Sequence, residues 1–336
     1  MRINVESLSN PLSAVRGIGS YNQMLKEGIA RYGQKNGLEL SNQSYDLELI
    51  TDFNPFQKIS LKAGVSQAIV IHDLIPLKYA RHFPIGLKGK FVWWQNCRII
   101  SQLAGIITDS QVVKQELIQT LSVSADKINV VYPAAKAIYE TKSPVALPKF
   151  IDNIPRNYIL YNADVTWNKN LPRLAQAIKK INQTLVLAGA ALTKRTNLNH
   201  PWLKSFVEFL KETQNDKRFI FLGFVSDMEL KWLYQNAKTV ALPSLAEGFG
   251  LPWLEACWQE SPVVVGRTAV TQEIMGEAAY YVDPLKVSSI ASGLENVMFG
   301  DNGELIKRQK KQAQKYSQSH FVDSLKTALY NLLNND

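Results

Sequence analysis

Residues 219–266 read FIFLGFVSDMELKWLYQNAKTVALPSLAEGFGLPWLEACWQESPVVVG. Three short apolar runs, at 219–224, 239–244 and 262–266, have the length and β-branched content of buried strands. Between the first two, Ser226-Asp227-Met228-Glu229 has the form of a capping box and opens a helix to about Gln235. Between the second and third, a loop flanked by Gly248 and Gly250 leads to Pro252, a residue suited to the first turn of a helix. Strands that alternate with helices predict a parallel, doubly wound sheet.

The same rhythm runs outward in both directions. Residues 158–163 (YILYNA) and 184–190 (TLVLAGA) read as strands, and 170–181 as a helix with Pro172 in its first turn. Upstream, 68–73 (AIVIHD), 105–110 (GIITDS) and 127–133 (KINVVYP) read as strands. Ser110 is a natural N-cap for a helix over 111–121, whose apolar face is Val113, Leu117, Ile118 and Leu121. A loose stretch containing Pro144, Pro148 and Pro155 marks a linker at 141–156. The expected organisation is an α/β domain over 1–140, a second over 157–315, and a C-terminal helix over 316–336 that crosses back to the first.

The chain has 336 residues, which suits two domains at roughly 100–200 residues each. Its hydrophobic content of 46% excludes a disordered chain. No apolar run reaches the ~18 residues of a spanning helix, and the first residues lack a secretory apolar core. A cytoplasmic protein is expected. Two cysteines, Cys97 and Cys257, and four histidines are too few for a disulfide framework or a metal site built from them. The net charge of +9 calls for an anionic partner. A nucleic acid would require the basic residues gathered on one face, and none is expected as a partner. The run at 307–315 reads as a solvated helix face.

Ligands of doubly wound sheets bind at the carboxyl ends of the strands. There the stretch 244–255 combines glycine, a helix start with open N–H groups, and two carboxylates, Glu247 in the loop and Glu255 about a turn into the helix. A carboxylate accepts from two adjacent hydroxyls, so the pair suits a sugar or ribose. Gly17 and Gly19 form only part of a dinucleotide fingerprint, because Asn22 occupies the third glycine position. A helix from about Ser20 would present its N-terminus to a diphosphate. Lys169, after a strand, can neutralise phosphate as a point charge. His72 stands at a strand tip beside Asp73; a lone histidine there is more often structural. From Leu74 to Thr108 there are five basic residues and no acidic one, with Tyr79, Phe83, Phe91, Trp93 and Trp94 interleaved. That pattern fits an anionic membrane surface or an acceptor phosphate, with Lys88 and Lys90 as the contacts, and equally a domain-face helix whose aromatics are core.

Taken together, these segments resemble the family 4 retaining glycosyltransferases of bacterial polysaccharide synthesis. Glu247-GFGLPWLEA is similar to the family's Glu-x7-Glu element. Arg16-GIGSY resembles its glycine loop, Ile71-HDLIPL its His-Asp motif, and Tyr158-ILYNADVTWNKNLPRLAQAI its phosphate loop. The segments 106–117 and 127–134 resemble its paired elements before the linker, and 221–244 its nucleobase and ribose region. The resemblance implies a GT-B fold, two Rossmann-like domains facing across a cleft. It implies a donor site made by Gly17, Gly19, Asn168, Gly189, Gly223, Phe224, Val225, Gly248, Phe249, Gly250, Leu251 and Glu255. Glu255 would hold the ribose, Glu247 the sugar hydroxyls and Lys169 the diphosphate, with His72 over the donor sugar. Asn168 stands where the family commonly has arginine, so Arg16 or another basic residue would complete the diphosphate clamp. The implied reaction moves a hexose from a nucleotide diphosphate sugar to a glycan or lipid-linked acceptor, without a metal cofactor because no Asp-x-Asp pair stands at a strand end. UDP-glucose is the expected donor and GDP-mannose the alternative. A sugar-nucleotide-binding module without catalysis is the non-enzymatic alternative.

Overall fold

The computed structural model describes residues 1–6 and 17–334. Two compact units divide the chain: Met1–Ala137 with Tyr316–Asp336, and Ile138–Lys315. Each is built on a six-stranded, wholly parallel sheet.

The first sheet contains β1 (Arg2–Glu6), β2 (Glu39–Leu40), β3 (Leu47–Ile50), β4 (Gln67–Val70), β5 (Gly105–Thr108) and β6 (Ile128–Val130), in the order β2-β1-β3-β4-β5-β6. Both faces are covered. One carries Tyr21, Met24, Leu25 and Ile29 together with Phe321, Val322, Leu325 and Leu329 of the helix Gln318–Asn334. The other carries Ile100, Leu103, Val113 and Leu117. The C-terminal helix lies close against β5: a Cβ on Gly105 would stand 2.3 Å from the Leu332 side chain. Only glycine permits that approach. Gly17 and Gly19 differ from expectation. Both lie within the helix Gly17–Gly28, not in a loop before it, and neither has a positive φ. Arg16 falls outside the described residues.

The second sheet contains β7 (Ile159–Tyr161), β8 (Leu185–Ala188), β9 (Phe219–Gly223), β10 (Thr239–Leu242), β11 (Val263–Gly266) and β12 (Tyr280–Val282). Their order, β9-β8-β7-β10-β11-β12, is the 3-2-1-4-5-6 arrangement of dinucleotide-binding sheets. One face is packed by Leu174 and Ile178 of the helix Leu171–Ile181 and by Ile290, Leu294 and Val297 of the helix Val287–Phe299. The anticipated strands 68–73, 105–110, 127–133, 158–163, 184–190, 219–224, 239–244 and 262–266 all contain strands. The strands β1, β2, β3 and β12 carry weaker signals. Local caps form as read. The Ser110 hydroxyl accepts from Val113 N at 3.2 Å, and both halves of the Ser226–Glu229 capping box are present.

The tail is two helices, Gly303–Gln314 in the second unit and Gln318–Asn334 in the first. Residues 138–143, just after the first unit, are tied down within the second. Buried Lys231 donates to Ile138 O at 2.8 Å and to Ser143 Oγ at 2.9 Å, and Gln259 donates to Tyr139 O at 2.6 Å. Among the described residues no helix is long and apolar enough to cross a membrane.

Candidate functional site

In the second unit, the strand order reverses between β7 and β10, the kind of place at which open α/β sheets bind ligands beyond the carboxyl ends of their strands. The loops after these strands bring two predicted residues together. Lys169 closes a short turn, Trp167–Lys169, after β7. Its Nζ lies 2.7 Å from both Glu247 carboxylate oxygens. Side-chain exposures of 16% and 12% keep water largely away, so the Coulomb attraction is stronger than between surface charges. Lysine and glutamate were read separately, for phosphate and for sugar hydroxyls; the fold makes them one ion pair.

The surrounding loops are fixed by side chains that sequence reading passed over or assigned otherwise. Asn168 is buried, donates from Nδ2 to Ala246 O at 3.0 Å and accepts from the Thr166 hydroxyl at 2.8 Å. Its side chain therefore ties the loop after β7 to the loop after β10. Asn170 adopts φ +61°, a conformation asparagine tolerates better than most residues. Its Nδ2 donates to Pro243 O at 2.9 Å and Pro284 O at 2.7 Å, joining the loops after β10 and β12 to that after β7. The sequence signal for such a residue is asparagine just before a proline-started helix.

Glu255 sits in the helix Leu251–Trp258 and is 4% exposed. Asn162 Nδ2 donates to Tyr234 Oη at 3.0 Å, and that hydroxyl donates to Glu255 Oε2 at 3.0 Å. Burial, followed by the Glu255 charge, raises the Tyr234 pKa well above its ordinary value, so the phenol remains a donor. Burial, with Asp164 and Glu247 adding, does the same for Tyr161. The helix begins at Gly250 with φ +101°, where a Cβ would stand 2.8 Å from the Trp253 ring. Backbone strain and steric closeness both select glycine there. Gly248 is buried and Leu251 half-buried. Phe249 is buried against Trp253, ring centroids 5.5 Å apart, so its side chain serves the loop's packing. Farther along the sheet edge, Gly189 N donates to Gly223 O at 2.7 Å, joining the tips of β8 and β9. Phe224 follows, 73% exposed, with Val225 half-buried.

The first unit has its own polar cluster. In the parallel register Ala68 pairs with Gly105, which sets His72 beside Asp109 beyond the strand ends. His72 Nδ1 and Asp109 Oδ2 are 2.7 Å apart, and Nε2 is 3.3 Å from Thr51 O. Both neighbours are acceptors, a setting that favours the doubly protonated ring, in which both nitrogens donate. Burial opposes that charge. The Asp109 carboxylate, Asp73 and the Thr51 carbonyl together outweigh it, and His72 is raised above its ordinary value. Tyr21 stands edge-on to His72 with ring centroids 4.6 Å apart. A histidine at one strand tip and Thr-Asp-Ser at the next were visible in the sequence. Their pairing required the register.

Comparison with known proteins places these features. The model for "Glycosyl transferases group 1" matches residues 149–316, half of the chain. An O-antigen chain mannosyltransferase of Salmonella typhimurium is 26% identical over 69% of this chain and 61% of its own length. O-antigen chain mannosyltransferase B of Escherichia coli is 29% identical over 56% of this chain and 49% of its own. The chain thus spans about half to three fifths of the curated relatives it matches. Among solved structures, sucrose-phosphate synthase of Thermosynechococcus elongatus superposes with a TM-score of 0.75 at 15% identity, covering 100% of this chain and 99% of that one. HepE of Anabaena in complex with UDP-glucose gives 0.70 at 15% identity, over the same shares. At such identity these two likenesses concern the fold, a GT-B arrangement of two doubly wound sheets.

Proposed function

Because the chain belongs to the glycosyl transferases group 1, we propose that it transfers a hexose from a nucleotide diphosphate sugar to a glycan or lipid-linked acceptor in polysaccharide assembly, retaining the anomeric configuration. The observation that carries this reading is the Lys169–Glu247 ion pair, with buried Glu255 on the helix that follows the same loop, at the β7–β10 reversal. The donor it favours is GDP-mannose, in place of UDP-glucose. Mannosyltransferase names among the curated relatives support that choice. The UDP-glucose complex is a distant likeness and speaks to fold.

In this reading Glu255, which already accepts from the Tyr234 hydroxyl, accepts from the ribose hydroxyls as well. Glu247 orients the sugar ring through its hydroxyls, aided by amides near Gly248 and Gly250. Lys169 is shared between Glu247 and the diphosphate, so donor binding weakens the ion pair as phosphate oxygens take part of the ammonium. Gly189, Gly223 and exposed Phe224 line the end of the sheet suited to a nucleobase, with Val225 beside them. The acceptor hydroxyl attacks the anomeric carbon on the face the diphosphate leaves, and the departing phosphate takes its proton. The protein's contribution is positioning and stabilisation of leaving-group charge by Lys169 and the amides at the start of Leu251–Trp258. His72, its pKa raised beside Asp109, supplies positive charge near the donor when protonated and is not assigned as a base. No divalent metal is required. The enzyme works in the cytoplasm, peripheral to the membrane face that holds a lipid-linked acceptor.

A thermal-shift series with GDP-mannose, UDP-glucose, GDP and UDP tests the donor, since a ligand bound only by the folded state raises the Tm. GDP-mannose should give the largest shift and should be consumed on addition of acceptor. A larger shift with UDP-glucose would overturn the mannose reading. Binding of all four without turnover or hydrolysis would favour a non-catalytic module.

A further inference from the structure

The helix Leu87–Ile100 in the first unit is divided along its length. Its inner side is anchored: Asn96 is fully buried, donates to Pro55 O at 3.0 Å and Gln57 O at 2.8 Å, and accepts from Ile59 N at 3.1 Å. Ile100 is buried in the core, and Trp93, Cys97 and Ile99 pack against it. The outer side is apolar and exposed: Leu87 is 85% exposed, Phe91 57% and Trp94 48%. With Arg98 they fall at helix spacings of four, three and four, which is one stripe. Phe91 and Trp94 stack at 5.8 Å, and the Arg98 guanidinium lies 3.8 Å from the Trp94 ring centre. Exposed Arg81, Lys88 and Lys90 accompany the stripe. Lys78 is engaged in an ion pair with Glu116. The fold has thus sorted the aromatics of this basic segment, sending Phe83 inward and Phe91 and Trp94 outward.

We propose that this rigidly held stripe is a docking surface for an anionic phospholipid bilayer, with Leu87, Phe91 and Trp94 entering the headgroup region and Lys88, Lys90 and Arg98 meeting lipid phosphates. A large apolar side chain on the first turn, stacked aromatics and a basic border are the composition of an interfacial helix. Complementary charge selects the occupant: from Leu74 to Thr108 there is no carboxylate side chain to repel an anionic surface or to pair with a basic partner. The inference deepens the peripheral membrane placement of the proposed function and rests on that reading, while it does not depend on the donor or on turnover.

Co-sedimentation with vesicles of equimolar phosphatidylcholine and phosphatidylglycerol tests it, with pure phosphatidylcholine vesicles as the reference. Wild-type protein should bind the anionic vesicles, release with added salt and bind the neutral ones weakly. Lys88→Gln/Lys90→Gln should lower the partition coefficient about 30-fold, two basic residues at roughly a factor of five each. Phe91→Ser/Trp94→Ser should also release the protein, and the tryptophan blue shift seen with wild type should shrink. Circular dichroism and the Tm confirm that the variants are folded; a pair that unfolds is replaced by the single exposed changes Lys88→Gln and Leu87→Ser. Equal binding of wild type and variants, equal binding to neutral vesicles, or no binding at all overturns the proposal. So does a wild-type dimer in sedimentation velocity that Phe91→Ser dissolves, since the stripe would then be an interface between copies.

Discussion

Between β7 and β10, Lys169, Glu247 and Glu255 each meet a partner from another segment of the second unit. At the tips of β3, β4 and β5, by contrast, Tyr21 Oη, Thr51 Oγ1 and Asp109 Oδ1 are buried with no hydrogen-bond partner among the described residues. The first arrangement is assembled before any substrate arrives, as electrostatic preorganisation requires. The second carries buried polar capacity, at a cost of about 1–3 kcal/mol for each unmet group. The β7–β10 cluster holds its charges by mutual satisfaction, and the His72 cluster sets a histidine of raised pKa amid polar atoms unmet among the described residues.

The contrast is most directly broken at the ion pair. Glu247→Ala should lower kcat roughly ten- to a hundred-fold, the value of one charge-assisted hydrogen bond of about 1.5–3 kcal/mol. Lys169→Ala should cost at least as much, because it leaves Glu247 uncompensated next to the diphosphate. The double variant should be little worse than either single one, since the two act as a unit. Additive losses in steady-state kinetics would mean that the pair is not a functional unit. Glu255→Ala should instead raise the donor KM more than it lowers kcat, because the ribose does not change during reaction.

Two tyrosine-to-phenylalanine changes compare the units on stability. Tyr234→Phe removes a donor from a buried carboxylate and should cost about 1.5–3 kcal/mol in denaturant unfolding. Tyr21→Phe removes a hydroxyl that has no partner among the described residues and should be neutral or stabilising, even though Tyr21 is equally buried. Equal losses would erase the distinction drawn above.

A smaller effect is expected from pH. Folding raises the His72 pKa, so its stabilising contribution is complete below the unfolded value of about 6.5 and is lost as pH rises through the folded value. Asp109→Asn should flatten that part of the stability–pH curve and move the His72 ring resonance titration downward. An unchanged titration would show that Asp109 does not set the histidine's charge. The smallest expected effect is none: turnover should survive excess EDTA. Loss of activity that magnesium or manganese restores would return the leaving-group charge to a metal.

Much of the second unit was legible because its signals are local. A capping box, a proline at a helix start and short apolar runs state their own structure, and the spacing of Glu247 and Glu255 depends on one loop and one helix turn. The parts that were missed depend on distance along the chain. Asn170 reaches Pro284 across a separation of 114 residues, and Asp109 reaches His72 across 37.

Residue order alone determined two α/β units, a carboxylate pair on the loop and helix after β10, and a basic aromatic segment in the first half. Periodicity and turn chemistry act within a few residues and are written where they operate. The tertiary structure decided which charges meet, that Lys169 neutralises Glu247 and that Asn168 is spent on loop closure. It also decided that His72 faces two acceptors, and which aromatics of 74–108 turn outward. Those outcomes depend on strand order and register. Parallel pairing brings together strand tips that the sequence keeps far apart.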